Sequence, residues 1–127
     1  MPLVRIDVRR NPDPEFARRA GEVVYAAMRA TINVPEHDHF QVLTEHDANH
    51  LVYDAQYLGI ARTDGLLIVQ ITLNEGRTLE QKKLLYRSIA DGLQQRLGVR
   101  PEDVFISLVE VKKENWSFGN GLAQYAP

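Results

Sequence analysis

Apolar and polar residues alternate along Pro2-Leu3-Val4-Arg5-Ile6-Asp7-Val8, the signature of a strand with one face turned to a core. Strands are predicted over 2–8, 39–46, 66–74 and 103–111. Between them the period lengthens. Phe16, Ala20, Val23, Val24, Ala27 and Met28 recur at helical spacing after the start signal Asn11-Pro12-Asp13-Pro14, and Asn33-Val34-Pro35 ends that helix. A second helix opens on Thr78-Leu79-Glu80-Gln81, which has the form of a capping box. It buries Leu85, Ile89, Leu93 and Leu97 and stops at Gly98.

The two halves repeat each other. A shift of 65 positions brings Asp38-His39-Phe40-Gln41-Val42-Leu43-Thr44-Glu45 onto Asp103-Val104-Phe105-Ile106-Ser107-Leu108-Val109-Glu110, with Asp, Phe, Leu and Glu coinciding. The same shift lays Val4, Ile6 and Val8 on Val69, Ile71 and Leu73, and Val24, Met28 and Val34 on Ile89, Leu93 and Val99. This periodicity reads as a duplicated strand-helix-strand unit, 2–46 and 67–111, followed by a tail 112–127. Strands joined across a helix should run parallel with a right-handed crossover. The fold class is therefore α/β in two layers: one four-stranded sheet with both helices on one face.

The other sheet face would show Leu3, Arg5, Asp7, Ile68, Gln70 and Thr72 with no helix to cover it. A closed homo-oligomer with sheets around a common axis accounts for such a face, although a monomer with a mixed face is the plainer alternative. Residues 47–65 form a long connection, in which Leu51-Val52-Tyr53 has the look of a short strand.

At 127 residues the chain is expected to form a single domain, 1–127, with a core that needs no staples. It has no cysteine, so disulfides, thiolate metal sites and cysteine nucleophiles are excluded together. The start MPLVRIDVRRNPDPEF carries charges where a signal peptide needs its apolar stretch, and Leu66-Leu67-Ile68-Val69 is too short to span a bilayer. Both features point to a cytoplasmic protein. A net charge of −2 gives no electrostatic case for nucleic acid or an anionic membrane, so a small molecule or a protein is the expected partner.

Four places carry candidate chemistry. Removal of Met1 would expose Pro2 as a secondary amine, with a reference pKa of about 7.7–8.0, able to act as acid or base near neutrality. Proline is also a common first residue of a strand. Asp38 stands ahead of the second strand, where a carboxylate could hold that ammonium or activate water. Asp103 at the equivalent place favours a simple strand-start aspartate. Arg77, in Asn74-Glu75-Gly76-Arg77-Thr78, lies beside a helix N-terminus and suits a carboxylate ligand. A solvated arginine paired with Glu75 or Glu80 is equally admissible. The tail brings Trp116, Phe118 and Tyr125 among glycines, to wall a pocket, reach over a neighbour or anchor the terminus. His37, His39, His46 and His50 lack the surroundings of a metal site, and no metal is expected. Gly119 and Gly121 lack the context of a phosphate loop.

Pro2 behind Met1, the segment Val34-Pro35-Glu36-His37-Asp38-His39-Phe40-Gln41, the turn Gly76-Arg77-Thr78 with Glu80-Gln81-Lys82, and Val109-Glu110 with Asn115-Trp116-Ser117-Phe118-Gly119 together resemble the tautomerase superfamily. Within it the chain is most similar to the malonate semialdehyde decarboxylases. The resemblance implies Pro2 as catalytic acid or base, Asp38 as its carboxylate partner, Arg77 as the receptor for a substrate carboxylate, a homotrimer and no cofactor. The better-known decarboxylase has two arginines flanking one residue on this loop. Glu75-Gly76-Arg77 keeps only one, and Gln41, Trp116, Phe118 and Tyr125 are expected to help shape the pocket. The implied activity is decarboxylation of a small 3-oxo acid such as malonate semialdehyde. Enol–keto tautomerisation or hydration of small 2-oxo acids is the alternative, and a ferredoxin-like small-ligand-binding domain is the non-enzymatic one.

Overall fold

All four strands and both long helices form in the computed structural model, which describes residues 2–127. In chain order they are β1 (Leu3–Arg9), α1 (Phe16–Thr31), β2 (Gln41–His46), β3 (Leu67–Asn74), α2 (Leu79–Leu97) and β4 (Val104–Val111). The strands begin one or two residues later than the pattern alone indicates. α2 starts where its chemistry says it should: the Thr78 hydroxyl accepts the Gln81 N–H at 3.2 Å, and the Gln81 amide oxygen accepts the Thr78 N–H at 3.0 Å. It ends at Gly98, whose φ of 67° only glycine adopts without strain. α1 has no side-chain cap; Asp13 instead folds the preceding turn, accepting the Glu15 N–H at 2.9 Å.

The sheet order is β2-β1-β3-β4. Within each repeat the strands are parallel, β1 with β2 and β3 with β4, while the repeats meet through an antiparallel β1–β3 pair. Alternation then decides the faces. Val4, Ile6, Val8, Val69, Ile71 and Leu73 are buried under the two helices, against Val24 and Met28 of α1 and Leu85, Ile89 and Leu93 of α2. The helices approach closely at Gly92, where a Cβ would stand 2.7 Å from Val23 Cγ1. On the opposite face Val42, Phe105 and Val109 remain 39–46% exposed, beside Arg5, Gln70 and the pair Asp7–His46, whose Oδ1 and Nε2 lie 2.6 Å apart. The uncovered face is therefore mixed, and its apolar share is larger than β1 and β3 alone revealed.

The connection 47–65 holds no strand. Single-turn helices at Ala48–His50 and Tyr57–Gly59 flank Leu51-Val52-Tyr53, in which only Leu51 is buried and Val52 is 83% exposed. Side chains satisfy this segment in place of a ladder: the Leu51 carbonyl accepts Arg9 Nη2 at 3.1 Å, and the Tyr53 hydroxyl donates to Asp64 at 2.6 Å. The far end is tied down by Asp103, nearly fully buried, whose carboxylate accepts Thr63 N–H at 2.7 Å and Thr63 Oγ1–H at 2.6 Å. No helix among the described residues is long and apolar enough to cross a membrane.

Candidate active site

Strand direction alone gathers the predicted residues. β1 and β2 enter the sheet at one end, and β3 and β4 leave it there, because each runs antiparallel to the first pair. Pro2 precedes β1, Asp38 precedes β2, Arg77 follows β3, and Trp116 and Phe118 follow β4. All five therefore sit at the same end. The Pro2 ring is buried, and the first ladder bond beside it runs from Val4 N–H to the Phe40 carbonyl at 3.1 Å. Met1, and with it the question of whether the mature chain opens on Pro2, lies outside the described residues.

Arg77 pairs with neither Glu75 nor Glu80 among the described residues. Its Nη1 donates to the Asn74 carbonyl and its Nη2 to the Ile32 carbonyl, both at 3.2 Å, so the guanidinium is clamped between the end of β3 and the end of α1. Neutral carbonyls leave the positive charge uncompensated, which is what a site for an anionic ligand requires. Asn74, itself 9% exposed, does a second job: its side-chain oxygen accepts the Trp116 indole N–H at 2.7 Å. One residue thus orients both the cation and the aromatic wall. Beyond that the tail is self-organised, with Trp116 stacked on Phe118 at 5.5 Å, Tyr125 edge-on to Phe118 at 4.8 Å, and Gln124 bonded to the Phe118 N–H and the Gly119 carbonyl.

Two hollows open at this end. Leu3, Phe40, Trp116, Ser117 and Phe118 enclose about 220 Å³, mostly apolar. The other, about 380 Å³ and shallower, has Asn74, Glu75, Arg77 and Lys113 on its wall. Asn74 and Lys113 were not anticipated from sequence. An asparagine at the end of a strand and one lysine of a Lys112-Lys113 pair carry no local mark that separates them from ordinary surface residues.

Asp38 is part-buried, its N–H turned back to the Pro35 carbonyl at 3.3 Å, directly after His37 with φ of 70°. Gln41 stands apart from the group. Paired with Val4, it faces the helix layer, and its amide donates to the Gly21 carbonyl at 2.8 Å. His39 stacks on Tyr25 at 4.2 Å, and no group of three or more acidic or histidine side chains converges as a metal site among the described residues.

Comparison with known proteins agrees with this architecture. A model of the tautomerase enzyme family matches residues 38–119. "Probable tautomerase YusQ" of Bacillus subtilis (strain 168) is 45% identical over 124 residues, 98% of either chain. Among solved structures, FG41 malonate semialdehyde decarboxylase inhibited by 3-bromopropiolate superposes with a TM-score of 0.90 at 34% identity, over 97% of this chain and 93% of that one. A fused 4-OT, solved as a symmetric trimer, shares the fold, with a TM-score of 0.79 at 22% identity over 98% of each chain. Near-complete coverage by a 45% identical relative, on this fold and with this family match, means that the chain is an enzyme of the tautomerase superfamily.

Proposed function

We propose that the chain decarboxylates a small 3-oxo acid of the malonate semialdehyde type, with Pro2 as the cationic acid. The observation that carries this reading is Arg77, a cation clamped by carbonyls and without a carboxylate partner among the described residues, at the end of the sheet where β1 begins. Arg77 takes the substrate carboxylate and turns its C–C bond out of the plane of the neighbouring carbonyl, so that the breaking σ bond overlaps the carbonyl π system. As carbon dioxide leaves, the electron pair passes into the enolate. The negative charge moves from the carboxylate to the carbonyl oxygen, where the protonated Pro2 amine meets it with a hydrogen bond; stabilisation grows toward the transition state, which is the condition for catalysis. Asp38, ahead of β2 at the same end of the sheet, supplies a negative charge that favours the charged amine. A proton from the Pro2 ammonium, replaced from solvent, then adds to the enolate carbon and gives the aldehyde. No step calls on a cofactor, and the apolar hollow of Trp116 and Phe118 and the hollow that carries Arg77 open at the same end of the sheet.

The apolar hollow of Leu3, Phe40, Trp116 and Phe118 at the same end of the sheet supports a second reading, because an apolar setting disfavours an ammonium. A neutral Pro2 is a base, suited to moving a proton between carbon and oxygen in an enol–keto tautomerisation. Parallel assays with malonate semialdehyde and the enol of an aryl pyruvate separate the two. Release of carbon dioxide faster than ketonisation is the expected result; ketonisation without carbon dioxide replaces the decarboxylase with a tautomerase, and inertness toward both would overturn both readings.

The mixed open face and the trimeric relative support a homotrimer. Light scattering should give three chain masses for the wild type. Val109→Arg, which sets a charge on that face without touching the helix-covered core, should yield monomers; a monomeric wild type would end the proposal.

A further inference from the structure

The duplication extends past the strands into the pocket walls. Under the 65-residue shift, the single-turn helix Ala48–His50 falls on Lys113–Asn115. The bond from Arg10 N–H to the His46 carbonyl, 3.0 Å, falls on that from Glu75 N–H to the Val111 carbonyl, 2.9 Å. Even the tie between strand end and tail is kept, Arg9 to Leu51 in one half and Asn74 to Trp116 in the other. Leu3, Phe40, Ser117 and Phe118 line the hollow at the Pro2 end, and their counterparts Ile68, Phe105, Val52 and Tyr53 line a cavity of about 270 Å³ at the opposite end of the sheet. The pocket was duplicated with the fold.

Its chemistry was not. Leu67 stands in Pro2's place, its nitrogen a main-chain amide within β3, and Pro12 stands in Arg77's. The carboxylate of Asp103, counterpart of Asp38, is spent on Thr63. A different residue supplies a cation. Arg62 lies on the cavity wall, its Nη1 held by the carbonyls of Tyr57 (3.0 Å), Asp54 (3.3 Å) and Ile60 (3.5 Å). It has no carboxylate partner among the described residues, and the nearby Asp54 carboxylate is engaged by the Gln56 N–H at 2.7 Å. Asp54, with its carboxylate so engaged, is on the wall as well; the other lining residues, Val52, Tyr53, Tyr57, Leu66, Ile68 and Phe105, are apolar or aromatic. Tyr53 is fixed by its bond to Asp64, which also raises its phenol pKa, and by Arg9 over its ring at 5.3 Å.

We propose that this cavity is a second, non-catalytic binding site for a small aromatic carboxylate, its ring against Ile68, Phe105 and Tyr57 and its carboxylate on the outer donors of Arg62. Volume sets the class: 270 Å³ lies just below the usual range of ligand pockets, so it takes one ring and not two. The inference is independent of which reaction Pro2 supports.

Phenylacetate is the probe, added to the intact assembly with ring-labelled tyrosines followed by NMR. The signals of Tyr53 and Tyr57 should shift saturably, in the wild type and equally in Arg77→Met, which separates this cavity from the Pro2 end. Arg62→Gln should weaken binding at least about tenfold, the effect of one lost charge-assisted hydrogen bond. Because Arg62 also pins its loop, Tyr57→Ala serves as the second variant: it removes the ring while keeping the carbonyl that Arg62 uses, and it too should weaken binding while turnover at Pro2 is unchanged. Three results overturn the proposal: no saturable shift, a shift abolished by Arg77→Met, or cross-chain NOEs showing the cavity filled by a neighbouring copy. Binding indifferent to both Arg62→Gln and Tyr57→Ala does so as well.

Discussion

Pro2→Ala is expected to lower kcat/KM by about 10²–10⁴, the range that a positioned acid or base contributes. The argument turns on geometry as much as on charge. An N-terminal alanine also carries an amine, with a reference pKa near the same 7.7–8.0, so a merely electrostatic role would survive the change. What the ring adds is a nitrogen with a single fixed direction. The substitution costs the fold little, since Pro2 precedes β1 and the ladder starts with the Val4 N–H. Equal melting temperatures would therefore attribute the loss to chemistry. The mass of the same sample reports whether Met1 is gone, which the amine requires. The pH profile then gives its role: an acid loses activity as pH rises through its pKa, and a base gains it. An unchanged kcat/KM on every 3-oxo and 2-oxo acid tried would remove Pro2 from the mechanism and leave the family fold without its reagent.

Elements whose periodicity is set by one buried face were legible. β1 and α1 show their inward residues at spacings two and 3.6 with few exceptions, and the capping box of α2 can be read letter by letter because all of its partners are local. The repeat placed Asp38 and Asp103 in equivalent positions, yet only the coordinates separate them, because what distinguishes Asp103 is Thr63, 40 residues away in sequence. Gln41 faces the helix layer for a reason the sequence contains: it alternates in phase with Leu43, which packs on the core. Leu51-Val52-Tyr53 failed as a strand because a three-residue apolar run does not say whether side chains or a neighbouring strand will satisfy its backbone. Asn74 was invisible for the same kind of reason. Its importance lies in two partners, Arg77 through its main chain and Trp116 through its side chain, that come together only after β3 and β4 are side by side.

The second large effect concerns Arg77. Arg77→Met should reduce kcat/KM by about 10²–10³, corresponding to roughly 3–4 kcal/mol for a charge-assisted, two-pronged grip on a carboxylate. The same change leaves the carbonyls of Asn74 and Ile32 without their donor, and Ile32 is only 2% exposed. An unsatisfied buried carbonyl costs about 1–3 kcal/mol of stability. Lower activity could thus arise from a displaced loop, and two measurements separate this from lost substrate binding. The first is Arg77→Lys, which keeps the charge but not the fork. A single ammonium lacks the two separated nitrogens that reach both carbonyls while offering a paired grip to a carboxylate, so it should recover part of the stability and little of the activity. The second is a neutral aldehyde lacking the carboxylate: its slow Pro2-dependent proton exchange should be the same in wild type and Arg77→Met if the guanidinium acts on the carboxylate alone. Trp116 fluorescence reports the loop in the same samples, because its indole N–H is bonded to Asn74. Equal losses for the acid and the neutral aldehyde, accompanied by a shifted Trp116 emission, would make Arg77 a structural clamp between α1 and β3, and the carboxylate receptor would have to be sought at Lys113, the other cation on the same hollow.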